Sequence, residues 1–212
     1  MVPGPDPDLR GILRTILEES RAAGWLGPGD VEAHIHHALA MAETAGAPPD
    51  RFLDLGSGGG VPGLVLALHW PSATGLLLDS GRRRVDFLTA ACARLGLAAR
   101  VETHCGRAEV AARAPGLRAG FDAVFARGFG RPAVTAECAA GFLTAGGRLF
   151  VSEPPETDPA RWPSEGLAEL GFGPAAIRRQ AGISVAVMTL EAAAGDRWPR
   201  RTGVPAKRPL WS

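Results

Sequence analysis

The sequence predicts an α/β fold built on a doubly wound, mostly parallel sheet. Three observations carry this. Short apolar runs alternate with helical runs from residue 52 to residue 152, the mark of repeated βαβ units. A stretch nearly free of side chains, Gly56-Ser57-Gly58-Gly59-Gly60, joins the first of these strands to the first helix after it. Asp79 ends the second apolar run, about 20–25 residues further on, the length of one βαβ unit.

The elements follow in order. A Pro-rich start, residues 1–8, is expected to be disordered. Asp8 is placed to cap a helix over residues 9–23, with Ile12, Leu13, Ile16 and Leu17 on one face. Gly24-Trp25-Leu26-Gly27-Pro28-Gly29 breaks it, and Asp30 caps a second helix to about Ala45. These two make a short N-terminal helical extension, residues 1–50, too small for a domain of its own. A strand over 52–55 leads to a helix over 62–68, with Pro62 tolerated in its first turn. A strand over 74–78 leads to a helix over 82–95, ended by Gly96. A strand over 100–104 precedes a short or irregular helix near 107–113. The fourth strand is 121–126, followed by a helix over 132–142, a turn at Gly146-Gly147 and a strand over 148–152. Then come a Pro-rich loop, a helix over 163–170, and strands over 175–179 and 184–190, spaced by Gly182 for an antiparallel pair. The body, residues 51–195, reads as one domain, and residues 196–212 as a basic tail packed on it.

A chain of 212 residues suits one α/β domain with short extensions. Its 46% hydrophobic share is enough for a full core. A formal net charge of +1 excludes a surface that attracts polyanions everywhere. Charge is uneven instead: residues 1–50 are acidic, whereas Arg197, Arg200, Arg201, Lys207 and Arg208 face only Asp196 in the tail. Cys92, Cys105 and Cys138 are scattered and show no CxxC spacing, so neither a zinc site nor a disulfide framework is indicated. A reducing, cytoplasmic setting is expected. The N-terminus lacks the regions of a signal peptide and no stretch is long enough to span a bilayer, so no membrane partner is expected. His34, His36 and His37 lie in one helix without a carboxylate or cysteine to complete a ligand set. They read as a solvated or half-buried face, and no metal is expected.

The candidate site begins at the bare turn. A strand, a turn without side chains and a helix N-terminus let a nucleotide-like ligand press against backbone N–H groups. The glycine pattern alone is weak. An S-adenosylmethionine site would set the amino-acid and ribose portion there, and a dinucleotide site a pyrophosphate. Asp79 can accept ribose hydroxyls and would repel a 2′-phosphate; its simpler reading is a cap for the next helix. Arg82-Arg83-Arg84 opens that helix against its dipole, as a phosphate-facing group or a solvated face.

Four stretches in this order and spacing resemble one family. They are Asp54-Leu55-Gly56-Ser57-Gly58-Gly59-Gly60-Val61-Pro62-Gly63, Leu78-Asp79-Ser80-Gly81-Arg82-Arg83-Arg84-Val85-Asp86-Phe87-Leu88, Gly106-Arg107-Ala108-Glu109, and Phe121-Asp122-Ala123-Val124-Phe125-Ala126-Arg127-Gly128-Phe129. Together they are similar to the bacterial 16S ribosomal RNA guanine-N7 methyltransferases, also called glucose-inhibited division protein B. The tail from Pro199 to Leu210 is similar to that family's C-terminal end. The resemblance implies a class I S-adenosylmethionine-dependent methyltransferase fold, a seven-stranded sheet ending in an antiparallel pair. The cofactor implied is S-adenosyl-L-methionine, held by Asp54, Gly56, Gly58, Val61, Asp79, Ala108, Glu109 and Arg127. By motif position Asp79 takes the ribose hydroxyls, Ala108 and Glu109 flank the adenine, and Arg127 stands at the catalytic mouth. The partner implied is ribosomal RNA or the small ribosomal subunit, met by a monomer through Arg83, Arg84, Arg200, Arg201, Lys207 and Arg208.

The chemistry suits that reading. Guanine N7 carries a lone pair and no proton, so methyl transfer needs no general base. Ala126-Arg127-Gly128-Phe129 lacks the Asn/Asp-Pro-Pro-aromatic pattern of exocyclic amine methylation, and Cys138 lacks a Pro-Cys context. Cys92 and Cys105 read as small buried residues. Glu153 stands where the family carries lysine, an acidic group at a place expected to meet RNA. Pro199, Pro205 and Pro209 exclude a helix from the tail, Gly203 allows a bend, and Trp198 and Trp211 either pin it or stack on bases. The tail is expected to be ordered and to show its arginines near the mouth. Two other functions stay open on the sequence: methylation of a small molecule, and a cofactor-binding but silent RNA-binding or regulatory protein.

Overall fold

The computed structural model describes residues 7–212. Of the Pro-rich start, residues 1–6 lie outside the described residues, while Asp8 already belongs to the first helix, α1 (Pro7–Ala22), in its first turn. The cap expected one residue later is therefore replaced by an acidic first-turn residue, which the dipole also favours. α2 (Val31–Ala45) starts where the sequence predicts, with the Asp30 carboxylate accepting the Ala33 N–H at 2.6 Å.

The βαβ series then runs β1 (Arg51–Leu55), α3 (Gly63–His69), β2 (Thr74–Asp79), α4 (Arg82–Arg94), β3 (Val101–Cys105), α5 (Ala108–Ala111), β4 (Phe121–Ala126), α6 (Pro132–Ala140) and β5 (Leu143–Glu153). A second helical stretch, α7 (Ser164–Glu169), leads to β6 (Ala176–Gln180) and β7 (Ile183–Thr189). The seven strands lie in the order β3-β2-β1-β4-β5-β7-β6. β3 through β5 are parallel, and β7 runs antiparallel to both β5 and β6. This is the doubly wound sheet expected, with its antiparallel end.

Two elements differ from the sequence reading. β5 begins before Gly146-Gly147, because the pair forms an irregularity within the strand: the register passes from Phe121 opposite Leu143 to Ala123 opposite Arg148. Gly146, at φ +84, absorbs the extra residues as bulges do. In the tail a short helix, α8 (Val204–Lys207), forms despite its proline. Pro205 stands in the first turn, where a missing N–H costs nothing.

Side chains alternate between the sheet's two faces. Phe52, Leu77, Phe125 and Phe150 meet α1–α4, while Leu53, Leu76, Val124 and Leu149 meet α6, α7 and the tail. The N-terminal helices thus share their core with the sheet: Leu13, Ile16, Leu17, Val31 and Ile35 are all buried there. β1 and β4 are neighbours while their crossovers leave in opposite directions. That switch point opens a crevice at the carboxyl ends of the strands, where ligands gather in open α/β sheets.

Candidate cofactor and methyl-transfer site

A cavity of about 750 Å3 fills this crevice. The turn after β1 forms its floor. Gly56 and Ser57 donate their N–H groups to the Leu78 carbonyl at 2.9 Å, Gly58 donates to Asp79 Oδ2 at 2.9 Å, and Gly60 donates to the Ser57 carbonyl at 2.8 Å. The N–H groups of Gly56, Ser57 and Gly58, expected to meet a ligand, are thus spent on stapling the turn to β2, and that of Gly60 closes the turn on itself. What the glycines supply is room. Gly56 has φ +78, and a Cβ there would stand 2.6 Å from the Phe129 ring. At Gly59 a Cβ would stand 2.8 Å from Leu26 and 2.9 Å from the Trp25 carbonyl.

That proximity reveals a wall that sequence reasoning misses. Trp25, Leu26 and Gly27, which in the sequence read only as a helix break, line the cavity and pack against the glycine turn. Trp25 packs edge-on against Phe87 of α4, with ring centroids 5.2 Å apart. Two large apolar residues inside a glycine-rich break are the one signal of this in the sequence.

Asp79 closes the end of β2. Its Oδ1 accepts from Gly81 N–H and from Arg84 Nε, each at 2.8 Å, and the Arg84 Nη2 stands 2.6 Å away. Burial would raise this carboxyl, but hydrogen bonds from Arg84, Gly81 and Gly58 outweigh it and hold the group below the ordinary carboxylate value. Arg84 is thus turned onto Asp79 at the cavity edge rather than presented outward, whereas Arg83 is exposed.

Asp54 lies beneath the turn and not in the cavity wall. It is fully buried; Oδ2 accepts the Gly63 N–H at 2.9 Å and Oδ1 has no partner among the described residues. Burial pushes its carboxyl up to about 7, against the pull of the Gly63 N–H. Val61, Ala108 and Glu109 line the cavity as expected. Glu109 is 4% exposed and receives Arg107 Nη2 at 3.1 Å and the Gly203 N–H at 2.9 Å. Burial raises its carboxyl and these donors, led by Gly203, bring it below the ordinary value.

Arg127 follows β4 and lines the cavity with Phe129, Arg131 and Val134. It is half-buried, and Nη2 lies 2.6 Å from Nδ1 of His34 on α2. From sequence His34 is only part of a helix face. Cys138 also reaches the wall, but burial pushes its thiol far above its ordinary value. Cys92 is buried as expected, and Cys105 is half-exposed.

The tail is ordered. Trp198 is 4% exposed with its indole N–H on the Glu169 carbonyl, and the Trp211 indole donates to the Arg161 carbonyl, so both tryptophans pin rather than await bases. Arg200 is held by Glu137, while Arg201, Lys207 and Arg208 are exposed, Lys207 directly after Ala206, which lines the cavity. Glu153 does not meet the outside. Its carboxylate, 2% exposed, takes Thr157 Oγ1 and Arg161 Nε, the latter at 2.9 Å.

The residues fit S-adenosylmethionine: a bare floor, an anchored carboxylate at the end of β2, a second wall at Ala108 and Glu109, and Arg127 lining the cavity after β4. Known proteins agree. A ribosomal RNA small subunit methyltransferase G of Fervidobacterium nodosum is 34% identical over 75% of this chain and 76% of its own. Its counterpart in Rubrobacter xylanophilus is 32% identical over 92% of this chain and 80% of its own. Among solved structures, an O-methyltransferase of Bacillus cereus in complex with SAH superposes at a TM-score of 0.57 with 16% identity, covering 84% of this chain and 89% of that one. A 16S rRNA guanine-N2 methyltransferase of T. thermophilus with AdoMet and guanosine does so at 0.53 with 22% identity, covering 74% of this chain and 39% of that one. Both carry the class I methyltransferase fold. Residues 29–153 match the model of rRNA small subunit methyltransferase G, and this chain belongs to that S-adenosylmethionine-dependent methyltransferase family.

Proposed function

We propose that this protein transfers the methyl group of S-adenosylmethionine to N7 of a guanine in 16S ribosomal RNA of the small subunit. The observation that carries this reading is the chemical inventory of the cavity wall. Among the described residues the wall includes no histidine, and its two carboxylates, Asp79 and Glu109, are each already committed to N–H donors. The Cys138 thiol is held protonated. Such a wall offers neither a general base nor a nucleophile, and guanine N7, with a lone pair and no proton, asks for neither. The cofactor supplies an electrophilic methyl when bound. Approach and orientation supply the rest.

Each residue then has a role. Gly56, Gly58 and Val61 make the floor, Asp54 fixes the start of α3 beneath it, Asp79 takes the ribose, and Ala108 and Glu109 flank the adenine. Arg127 orients the base at the mouth, where a guanidinium can donate to the guanine O6. Arg83, Arg201, Lys207 and Arg208 hold phosphates, together with Arg131 at the rim. Arg84 and Arg200, expected from sequence to meet RNA, act through Asp79 and Glu137 instead. The N-terminal helices, the sheet and the tail work as one unit. One chain supplies the whole wall, so a monomer suffices, working with ribosomal subunits in the cytoplasm.

Incubation with radiolabelled S-adenosylmethionine and small subunits lacking the modification, followed by mapping of the labelled base, tests this. Label at a guanine N7 is the expected result. Label at an exocyclic amine, or none on RNA, would overturn it.

A further inference from the structure

We infer that His34 is a positioning residue for Arg127, one neutral imidazole that ties the cofactor's roof loop to the arginine at the methyl-transfer mouth. The inference rests on the role proposed above for Arg127.

Its geometry is explicit. His34, 3% exposed, uses both ring nitrogens. Nδ1 stands 2.6 Å from Arg127 Nη2 and Nε2 stands 3.1 Å from the Gly27 carbonyl. A guanidinium only donates and a carbonyl only accepts. Nδ1 must therefore carry the lone pair and Nε2 the proton, which fixes the tautomer. A second proton would remove the acceptor Arg127 uses and set two cations face to face.

The two partners are the two sides of the site. Gly27 closes the loop whose Trp25 and Leu26 rest on the glycine floor. Arg127 is the side chain that β4 delivers to the mouth. A carboxylate would hold an arginine as well, but it would also neutralise it. A neutral imidazole fixes the guanidinium through one N–H and leaves its charge and its other donors for substrate. The surroundings favour the neutral form: burial and Arg127 lower the His34 pKa below 6.5, Arg21 of α1 adds to this, and the Gly27 carbonyl and Asp30 oppose it. His37, one turn further along α2, bonds Ser152 Oγ at 2.8 Å, and burial with Arg127, His34 and His36 lowers it to about 4. Among the described residues, the carboxyl whose charge acts on Arg127 is Asp54.

Two variants separate the two interactions. His34→Asn keeps an acceptor near Nδ1 and loses the donor to Gly27. His34→Gln reaches the Gly27 carbonyl and leaves Arg127 without its acceptor. Both are assayed with radiolabelled S-adenosylmethionine and small subunits lacking the modification, with melting temperature as a control for folding and calorimetry for cofactor affinity. His34→Gln is expected to lose about 10- to 100-fold in kcat with cofactor affinity kept, since a misplacement near 1 Å costs that much. His34→Asn is expected to keep kcat within severalfold and to bind cofactor more weakly. Wild-type kcat should fall as pH drops below the ordinary imidazole value, and that fall should vanish in His34→Asn. A normal kcat in His34→Gln, or an unchanged acid limb in His34→Asn, would overturn the inference. Full activity in Arg127→Ala would instead remove the reading of Arg127 on which it rests.

Discussion

The fully buried carboxylate of Glu137 receives three N–H groups of Arg200 from 63 residues away: the backbone N–H at 2.8 Å, Nε at 2.9 Å and Nη2 at 2.7 Å. Arg200 also donates to the Arg208 carbonyl at 2.8 Å. The pair fastens the tail to α6. Glu137→Gln removes the charge and part of this fork, and should cost about 1–3 kcal/mol of stability. Denaturant unfolding would show a lower midpoint at an unchanged m-value. An unchanged midpoint would mean that the tail's other contacts, Trp198 and Trp211 among them, hold it without this pair.

Cofactor affinity should depend on Asp79. Asp79→Asn leaves the side-chain shape but weakens what its oxygens offer a ribose, and it frees Arg84. Calorimetry should record a loss of about 1–3 kcal/mol in S-adenosylmethionine binding. Unaltered binding would put the ribose elsewhere.

The exposed cations carry a different prediction. Combined alanine substitution of Arg131, Arg201 and Lys207 should weaken RNA binding and flatten its salt dependence. On single-stranded RNA the slope of log affinity against log salt should shrink by about 0.7 for each phosphate that is no longer neutralised. Cofactor affinity should stay as it is. A wild-type slope would place the phosphates on another face.

Asp54 sets a pH dependence of stability. Its carboxyl titrates at about 7 when folded and near 3.8 when free. Between those values the unfolded chain gives up the proton and the folded one keeps it. The stabilisation is therefore complete below the free value and is lost as pH rises through about 7. Melting temperatures of wild type, taken against Asp54→Asn at each pH, should fall across that window and level off above it. A flat difference would show that the buried carboxyl does not titrate there.

The sheet is legible in the sequence because its signals are local. The alternation of short apolar runs with helical runs and the glycine-to-Asp79 spacing lie within short windows, and they place the strands to within a residue or so, apart from the bulged start of β5. The partners of the arginines are not legible. Arg84 and Arg200 look the same in sequence as Arg83 and Arg201, and only the approach of Asp79 or Glu137 separates them. Glu153 looks like an acid facing RNA until Arg161 and Thr157 close around it. His34 and the 24–27 loop escape because their role exists only where α2 meets the end of β4, 93 residues later.

The reversed direction of β7 decides how the cavity wall is completed. β7 ends at Thr189, opposite Arg148 just past the Gly146-Gly147 irregularity of β5, so the chain leaves the sheet at the end away from the cavity. It climbs back over the second face, its carbonyls held by Arg113 and Arg118, before Gly203 reaches Glu109 and Ala206 enters the wall. The cavity wall at Glu109 is thus finished by residues that follow the last strand of the sheet. Docking of this segment therefore completes the cavity from the far end of the sheet: a change that loosens its hold on Arg113 or Arg118 reaches the wall at Glu109 without touching a strand.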